Sequence, residues 1–341
     1  MVPALAVADA LRADGAEVSF VGGERAETAL VPEAGYELHT LRLAALPRGR
    51  PAAAAKALGV DAAAVAGAGR LVGSLRPDAV LGAGGYVAGP ISLAAVLRRV
   101  PLVLAEADSH LGVTNRLLAP YARRVCLAFP IAGREGRRYR VTGRPVPALA
   151  TDRRAARARF GIPFDDTCVL VFGGSQGARS INLAALDAFA GARFHVLCAA
   201  GERDLPELVS PGPDFDLRGY IPNFGEALLA SDLVVARSGG SIFEICAYGR
   251  PAVLIPYPHA TGDHQTDNAR YMERAGAAVV IPDAELTGPR LAQEVGRLLD
   301  DRGRLAAMAR ASASLARPHA AAEIAAEVLA AAGGVRAGLA A

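Results

Sequence analysis

Short, unbroken apolar runs alternate along the chain with longer stretches in which apolar residues recur every three to four positions. In the first half the runs are EVSFVGG, YELHTLRL, DAVLGAGG, PLVLAEAD, RRVCLAF and RYRVTG. In the second half they are CVLVFGG, FHVLCAAG, DLRGYI, DLVVARSG, PAVLIPYP and AAVVIPD. Runs of this kind predict strands buried on both faces, as in parallel sheets, and the Ala/Leu-rich stretches between them predict helices. Each half therefore predicts a doubly wound α/β domain. The break falls in VTGRPVPALATDRR, where Pro145 and Pro147 interrupt regular structure. The pattern divides the chain into 1–143 plus 318–341 and 144–317, the closing helix PHAAAEIAAEVLAAA being long enough to cross back. Ligands of such sheets bind beyond the carboxyl ends of the strands, so two facing domains imply a shared cleft.

At the start the alternation is out of step. MVPALAVADALRADG reads as a helix, with Leu5, Ala8 and Leu11 at helical spacing, Pro3 in the first turn and Gly15 as a stop. The strand EVSFVGG follows at once. Helix then strand is the second half of a βαβ unit, and the strand that should feed this helix is not in the sequence.

Composition narrows the class. Of the 341 residues 52% are apolar and 21% charged, enough for two folded cores. No apolar run reaches the roughly 18 residues a membrane span needs, and Asp9 and Asp14 sit where a secretory leader would be basic. Cys126, Cys168, Cys198 and Cys246 are far apart in apolar runs, as buried reduced thiols of a cytosolic protein would be. The net charge of +3 is uneven: residues 1–145 hold 18 basic against 12 acidic side chains, and the remainder 19 against 22. A basic half is either a solvated face or one turned to an anionic partner. Membrane phospholipid fits better than nucleic acid, since the basic residues are not interleaved with aromatics and Trp is absent. Arg98, Arg99, Arg123 and Arg124, with apolar residues of 52–75, are the expected membrane-facing set.

Five segments carry candidate chemistry. CVLVFGGSQGARSINLAAL is a strand, a Gly-rich turn and a helix, in which Gly173, Gly174 and Gly177 permit an anion cradle at the helix N-terminus or simply a tight turn. It is neither GxGxxG nor a P-loop. In LVVARSGGSIFEICAYGRPAVLIPYP a strand ends at Arg237 and a loop with Gly240 and Ser241 leads to a helix bearing Glu244. That carboxylate either compensates the helix dipole or accepts from the two hydroxyls of a ribose. In PHATGDHQTDNA, His259 and His264 lack a third ligand at metal spacing, whereas Gln265 and Asn268 share a helix face suited to a sugar. VLGAGGYVAGP and EADSHLGVTNRLLAP put Gly84, Gly85, Tyr86, Glu106, Asp108, His110 and Asn115 in loops after strands, for acid–base work, substrate binding or structural turns.

The order of these motifs resembles the MurG family of GT-B glycosyltransferases, from Val2 to about Val328. The match rests on GAGGYVAGP, LGVTNRLLAP, FGGSQGARSIN, RSG with Glu244, PYPHATGDHQTDNA and AGAAVVIP. The resemblance implies two Rossmann-like domains and inverting transfer of N-acetylglucosamine from UDP-GlcNAc to lipid I, giving lipid II. It further implies a cytoplasmic protein peripheral to the membrane, with lipid I and anionic phospholipid as partners and neither cofactor nor metal. Carried over by position, Ser175 and Gln176 meet the donor phosphates and sugar, Ile221 the uracil through its backbone, Glu244 the ribose and Gln265 the GlcNAc hydroxyls. Asp108 stands where the family has an Asn on the donor sugar. Gly84, Gly85, Tyr86 and Asn115 fall on the acceptor side.

Three departures bear on this reading. The interdomain Asn-Pro-Val-Arg is here RPVP, with Arg144 and Pro147 at its ends, the Glu-Gln-Asn triplet is EAD, and the loop from Gly239 to Glu244 is one residue shorter. The family's first strand and Gly-Gly-Thr-Gly-Gly-His loop precede the position of Pro3, so the first sheet is expected to lack its central strand. That leaves the general base unassigned, with His110, Glu106 and Asp108 as candidates. The alternatives are a related transferase with another UDP-sugar or lipid acceptor, and a UDP-sugar-binding protein without catalysis.

Overall fold

The computed structural model describes every residue except 25, 42–50, 175–176 and 339–341, and the backbone alone at 51–62, 85–87, 261 and 334–338. The chain divides into two compact units, Met1–Pro145 with Pro318–Ala341, and Val146–Arg317.

The first unit runs α1 (Val2–Ala13), β1 (Ser19–Gly22), α2 (Glu27–Glu33), β2 (Glu37–Thr40), α3 (Pro51–Leu75) and β3 (Val80–Gly82). It continues with α4 (Gly85–Leu97), β4 (Leu102–Glu106), α5 (Val113–Leu118), β5 (Arg124–Leu127) and β6 (Tyr139–Val141). The second runs α6 (Arg153–Arg159), β7 (Cys168–Phe172), α7 (Arg179–Ala188), β8 (His195–Ala199), β9 (Phe215–Arg218) and α8 (Phe224–Ala230). Then come β10 (Leu233–Ala236), α9 (Ile242–Ala247), β11 (Ala252–Leu254), α10 (His264–Arg274), β12 (Ala278–Val280), α11 (Gly288–Asp300) and α12 (Arg302–Ser314). The last helix, α13 (Ala320–Gly338), belongs to the first unit. Every apolar run singled out above holds all or most of one of the twelve strands found among the described residues.

Helix α1 starts with Pro at its first turn and gives way to Gly15 at φ +81°, burying Val7, Ala8 and Leu11. In the first unit the strands form two parallel sheets, β1–β2 and β3–β4–β5–β6. Alternation along β4 and β5 sends Leu102, Leu104, Val125 and Leu127 to a core with α3 and α4. Val103 and Cys126 point the other way, to a core with Val7 and Leu11 of α1 and Ile324, Ala325 and Val328 of α13. Both faces are covered, which is why these strands read as unbroken apolar runs.

The second unit holds one six-stranded parallel sheet in the order β12–β11–β10–β7–β8–β9. Strand order reverses between β7 and β10, and the crevice at such a switch point, beyond the carboxyl ends, is where doubly wound sheets take their ligands. All residues of β7 and β10 are buried. Val169, Val171, Leu233 and Val235 pack with Ile181 and Ala185 of α7 and Leu291 and Val295 of α11. The four cysteines are free and buried, and burial pushes each thiol up to about 12, so all stay protonated and unreactive near neutral pH.

Candidate functional site

Two glycine turns meet at the switch point of the second unit. After β7 the chain turns through Gly173, Gly174 and Gly177, the last two at φ +91° and +71°. A Cβ at Gly177 would drive into the carbonyl oxygen of Ala200, so the loop lies tight against the end of β8. It delivers the chain into α7, whose N-cap Ala178 has no side-chain acceptor for the amides of the first turn. Ser175 and Gln176, assigned to the donor phosphates and sugar, lie outside the described residues.

After β10 comes Arg237–Ser238–Gly239–Gly240–Ser241, leading into α9 with half-buried Glu244 in its first turn. Ser238 is fully buried; its hydroxyl donates to the Gln265 carbonyl at 2.7 Å. Gln265 accepts from the Tyr257 N–H through Oε1 at 3.0 Å, and its Nε2 lies 3.8 Å from where a Gly239 Cβ would be. Gln265 thus reaches the turn that carries Gly239 and Gly240. Asn268, expected to share a sugar-binding face with it, is 1% exposed and donates to the Ser238 carbonyl at 3.0 Å. One helical turn is enough to take it from the rim into the core, where it holds the turn instead. Ile221 is 1% exposed as a whole residue, beside Tyr220 at 67%.

The residue that sequence reasoning passed over is Arg237. It is 8% exposed, and its Nη1 donates to the carbonyls of Ile255 at 3.1 Å and Pro256 at 3.0 Å. Its Nη2 donates to Ser180 Oγ at 2.9 Å, and Nη1 pairs with Asp283 at 2.6 Å. An Arg closing a strand was visible in the sequence, but its partners come from elements up to 57 residues away.

In the first unit, Glu106 ends β4 and is 7% exposed. Its Oε1 accepts from the N–H groups of Ala107 at 3.0 Å and Asp108 at 3.2 Å. Its Oε2 accepts from Gly112 at 2.8 Å and Asn115 Nδ2 at 2.9 Å. Four donors on one carboxylate make Glu106 the anchor of the 107–112 loop, a different task from moving a proton. Asn115, 3% exposed, also donates to the Ala105 carbonyl at 3.0 Å, so it holds the loop rather than facing outward. Asp108 and His110 are half-buried on the loop so fixed. Gly84, at φ +85°, caps α4, and Gly85 and Tyr86 begin that helix, described there by backbone alone. Among the described residues no group of three or more His, Cys, Asp or Glu side chains has metal-binding geometry.

The expected membrane-facing set changes. Arg124 turns inward to Glu327 of α13 at 2.6 Å, because it opens β5 under that helix. In 52–75, Ala64, Ala68 and Val72 are buried, while the side chains of 52–62 lie outside the described residues. Leu75 at the end of α3 stays exposed, and further exposed apolar side chains are Leu93 and Leu97 of α4, Val113 and Leu117 of α5, and Tyr121. Arg98, Arg99, Arg116 and Arg123 are exposed beside them in sequence. Among the described residues no helix is long and apolar enough to cross a membrane.

Comparison with known proteins matches residues 1–127 to the glycosyltransferase family 28 N-terminal domain and 168–324 to its C-terminal domain. A UDP-N-acetylglucosamine--N-acetylmuramyl-(pentapeptide) pyrophosphoryl-undecaprenol N-acetylglucosamine transferase from Moorella thermoacetica is 43% identical, covering 93% of this chain and 92% of its own. The protein of the same name from Rubrobacter xylanophilus is 42% identical, over 95% and 98%. The crystal structure of Acinetobacter baumannii MurG superposes with a TM-score of 0.77 at 27% identity, covering 96% of this chain and 95% of that one.

Proposed function

The chain belongs to glycosyltransferase family 28, and we propose that it transfers N-acetylglucosamine from UDP-GlcNAc to lipid I, forming lipid II in peptidoglycan synthesis. The observation that carries this reading is the near full-length similarity, above 40% identity, to transferases of that name. The fold agrees: two Rossmann-like α/β units, as in the GT-B glycosyltransferases.

In this reading the second unit binds the donor and the first the acceptor. The diphosphate of UDP-GlcNAc sits on the glycine turn 173–178 and the first amides of α7. Ser175 and Gln176 touch its phosphates and sugar, Glu244 accepts from the ribose hydroxyls, Gln265 binds the GlcNAc hydroxyls, and the backbone at Ile221 meets the uracil. The turn with Gly240 and Ser241 completes the pocket, and Asn268 acts through Ser238. On the acceptor side, Gly84, Gly85 and Tyr86 form the binding loop, while Asn115 and Glu106 hold the loop bearing Asp108 and His110.

Reaction is a single displacement with inversion. The lipid I hydroxyl bonds to the anomeric carbon as that carbon's bond to the UDP oxygen breaks, and the hydroxyl proton leaves to a base. Charge builds on the departing diphosphate, where aligned amides and the α7 dipole are worth most. The acceptor is a lipid, so the protein works at the cytoplasmic membrane surface. The exposed Leu97, Val113, Leu117 and Tyr121, with Arg98, Arg99, Arg116 and Arg123, fit a peripheral contact with anionic phospholipid.

The test is transfer of labelled GlcNAc from UDP-GlcNAc to lipid I by the purified chain, beside a panel of other UDP-sugars. The expected result is labelled lipid II with release of UDP. Transfer from a different sugar would reassign the donor, and UDP binding without turnover would leave a sugar-nucleotide-binding protein.

A further inference from the structure

We propose that Asp283 and Ser180 are positioning residues for the donor diphosphate, held by Arg237 in a cross-brace that sets the direction of helix α7. The proposal rests on the donor reading above and adds residues that touch no substrate in it.

One oxygen of Asp283 receives both the Arg237 guanidinium, at 2.6 Å, and the Ser180 hydroxyl, at 2.8 Å. Ser180 in turn accepts from Arg237 Nη2 at 2.9 Å, which closes a triangle. Its corners belong to separate segments. Arg237 follows β10, Asp283 opens the turn Asp283–Glu285 after β12, and Ser180 is the second residue of α7. Through the carbonyls of Ile255 and Pro256, Arg237 also grips the chain beyond β11. Four segments at the carboxyl end of one sheet are thereby joined by a single buried cation. Tyr257, whose ring lies 5.4 Å from the guanidinium carbon, flanks it, and its N–H goes to Gln265.

This arrangement bears on the donor in a particular way. A buried guanidinium with fixed donors resists reorientation, and Ser180 lies in the turn whose amides point out of the N-terminus of α7. Neighbouring Asn182, fully buried, ties the next part of the same turn to the Ala200 carbonyl at 2.9 Å. The helix is thus pinned on two sides directly behind the glycine turn. Oriented amides stabilise a developing charge only when they are aimed before it forms, and a misplacement of about 1 Å is enough to cost about a hundredfold in rate. The uridine end of the donor, assigned to Ile221 and Glu244, does not depend on Ser180.

The expected signature is therefore selective. D283A should weaken UDP binding about tenfold, equivalent to about 1.4 kcal/mol, and leave uridine binding within about twofold. Its kcat for transfer should fall further than its KM for UDP-GlcNAc rises, since leaving-group charge is greatest in the transition state. S180A, a smaller change that keeps the ion pair, should move the same quantities in the same direction by less. D283N retains an oxygen that accepts from both partners and should recover most of the UDP affinity. Calorimetry with UDP and with uridine, on variants whose melting is checked first, reads these out; if D283A does not fold, S180A decides. Equal loss of UDP and uridine, or no loss of either, would overturn the positioning role while leaving the donor reading intact. Wild-type protein that binds neither would overturn both.

Discussion

Glu106 shows how far a side chain's task is set by what surrounds it. A carboxylate in a glycine-containing loop beside a His reads as an acid–base candidate, yet each of its oxygens accepts from two N–H groups. E106Q would turn an amide NH₂ toward two of those donors. Leaving buried donors unpaired costs about 1–3 kcal/mol, so thermal unfolding should shift down, and transfer should drop by ten- to a hundredfold as Asp108 and His110 lose their placement. An E106Q variant that melts and turns over like wild type would return Glu106 to the list of proton carriers. Glu244 makes a contrasting case, half-buried in the first turn of α9. E244A should weaken UDP-GlcNAc binding by about 1.5–3 kcal/mol, the value of hydrogen bonds to a charged acceptor; calorimetry on the folded variant measures it, and unchanged affinity removes Glu244 from the ribose. Residue types in these loops were legible from sequence, but their directions were not. Asn115 and Asn268 look outward by motif and point inward in the fold, because their partners are the Ala105 carbonyl and Glu106 carboxylate at the end of β4 and the Ser238 carbonyl after β10.

Elements were far more legible than residues. Strands such as β4, β5, β7, β10 and β11 follow from apolar runs because both sheet faces are covered, so burial leaves no polar alternation to confuse with a helix. Sheet order was not legible, since parallel pairing is set by crossover packing rather than by any one strand. How α13 is held was also invisible. Glu327 of that helix, its side chain 9% exposed, meets Arg124 at the start of β5 at 2.6 Å and Arg140 of β6 at 2.7 Å. Burial alone would raise the Glu327 carboxyl, but hydrogen bonds from Arg140 and Arg124 outweigh it and hold the group below its usual 4.5. A depressed carboxyl contributes stability that is complete above its unfolded value and is lost as pH falls through the folded one. E327Q should therefore be less stable than wild type at pH 7, by about 1–3 kcal/mol given the partial exposure of both arginines. The gap should close as the pH drops below about 4.5, and chemical denaturation at pH 7 and pH 3.5 checks it. A gap of constant size would mean that packing, not charge, fastens the helix. Hydrogen exchange should separate elements too: β7 and β10 are buried throughout and paired on both sides, whereas β1–β2 is a two-stranded sheet with exposed ends. Amides of β1 and β2 should exchange well before those of β7 and β10.

At the scale of the molecule, charge asymmetry was the readable feature, with the excess of basic residues in 1–145. What the sequence could not say is which apolar residues accompany them. Ala-rich 52–75 has the composition of a surface-seeking helix, but Ala64, Ala68 and Val72 are spent on the core. Besides Leu75 at the end of α3, apolar side chains are left in solvent on α4 and α5, which pack together. Leu93 and Leu97, like Val113 and Leu117, are four apart, so each pair lies along one face of its helix. Leu97, Leu117 and Tyr121 are 68%, 65% and 67% exposed. In the proposed membrane contact, nearby Arg98, Arg99, Arg116 and Arg123 would supply the attraction to an anionic surface, at about 1 kcal/mol per cation close to the membrane. The two contributions are separable by salt. Raising ionic strength from 0.1 to 1 M shrinks the screening length from about 10 to about 3 Å, which weakens the arginines and leaves apolar insertion untouched. Wild-type protein should sediment with phosphatidylglycerol vesicles better than with phosphatidylcholine vesicles at low salt, and lose much of that preference at high salt. L97E with L117E should reduce binding to both vesicle types, because it removes insertion and adds repulsion. Replacing Arg99 and Arg123 with Gln should instead abolish the preference while leaving the weak binding to neutral vesicles. Equal binding of wild type to both lipids at every salt concentration would show that this face meets something other than a charged bilayer.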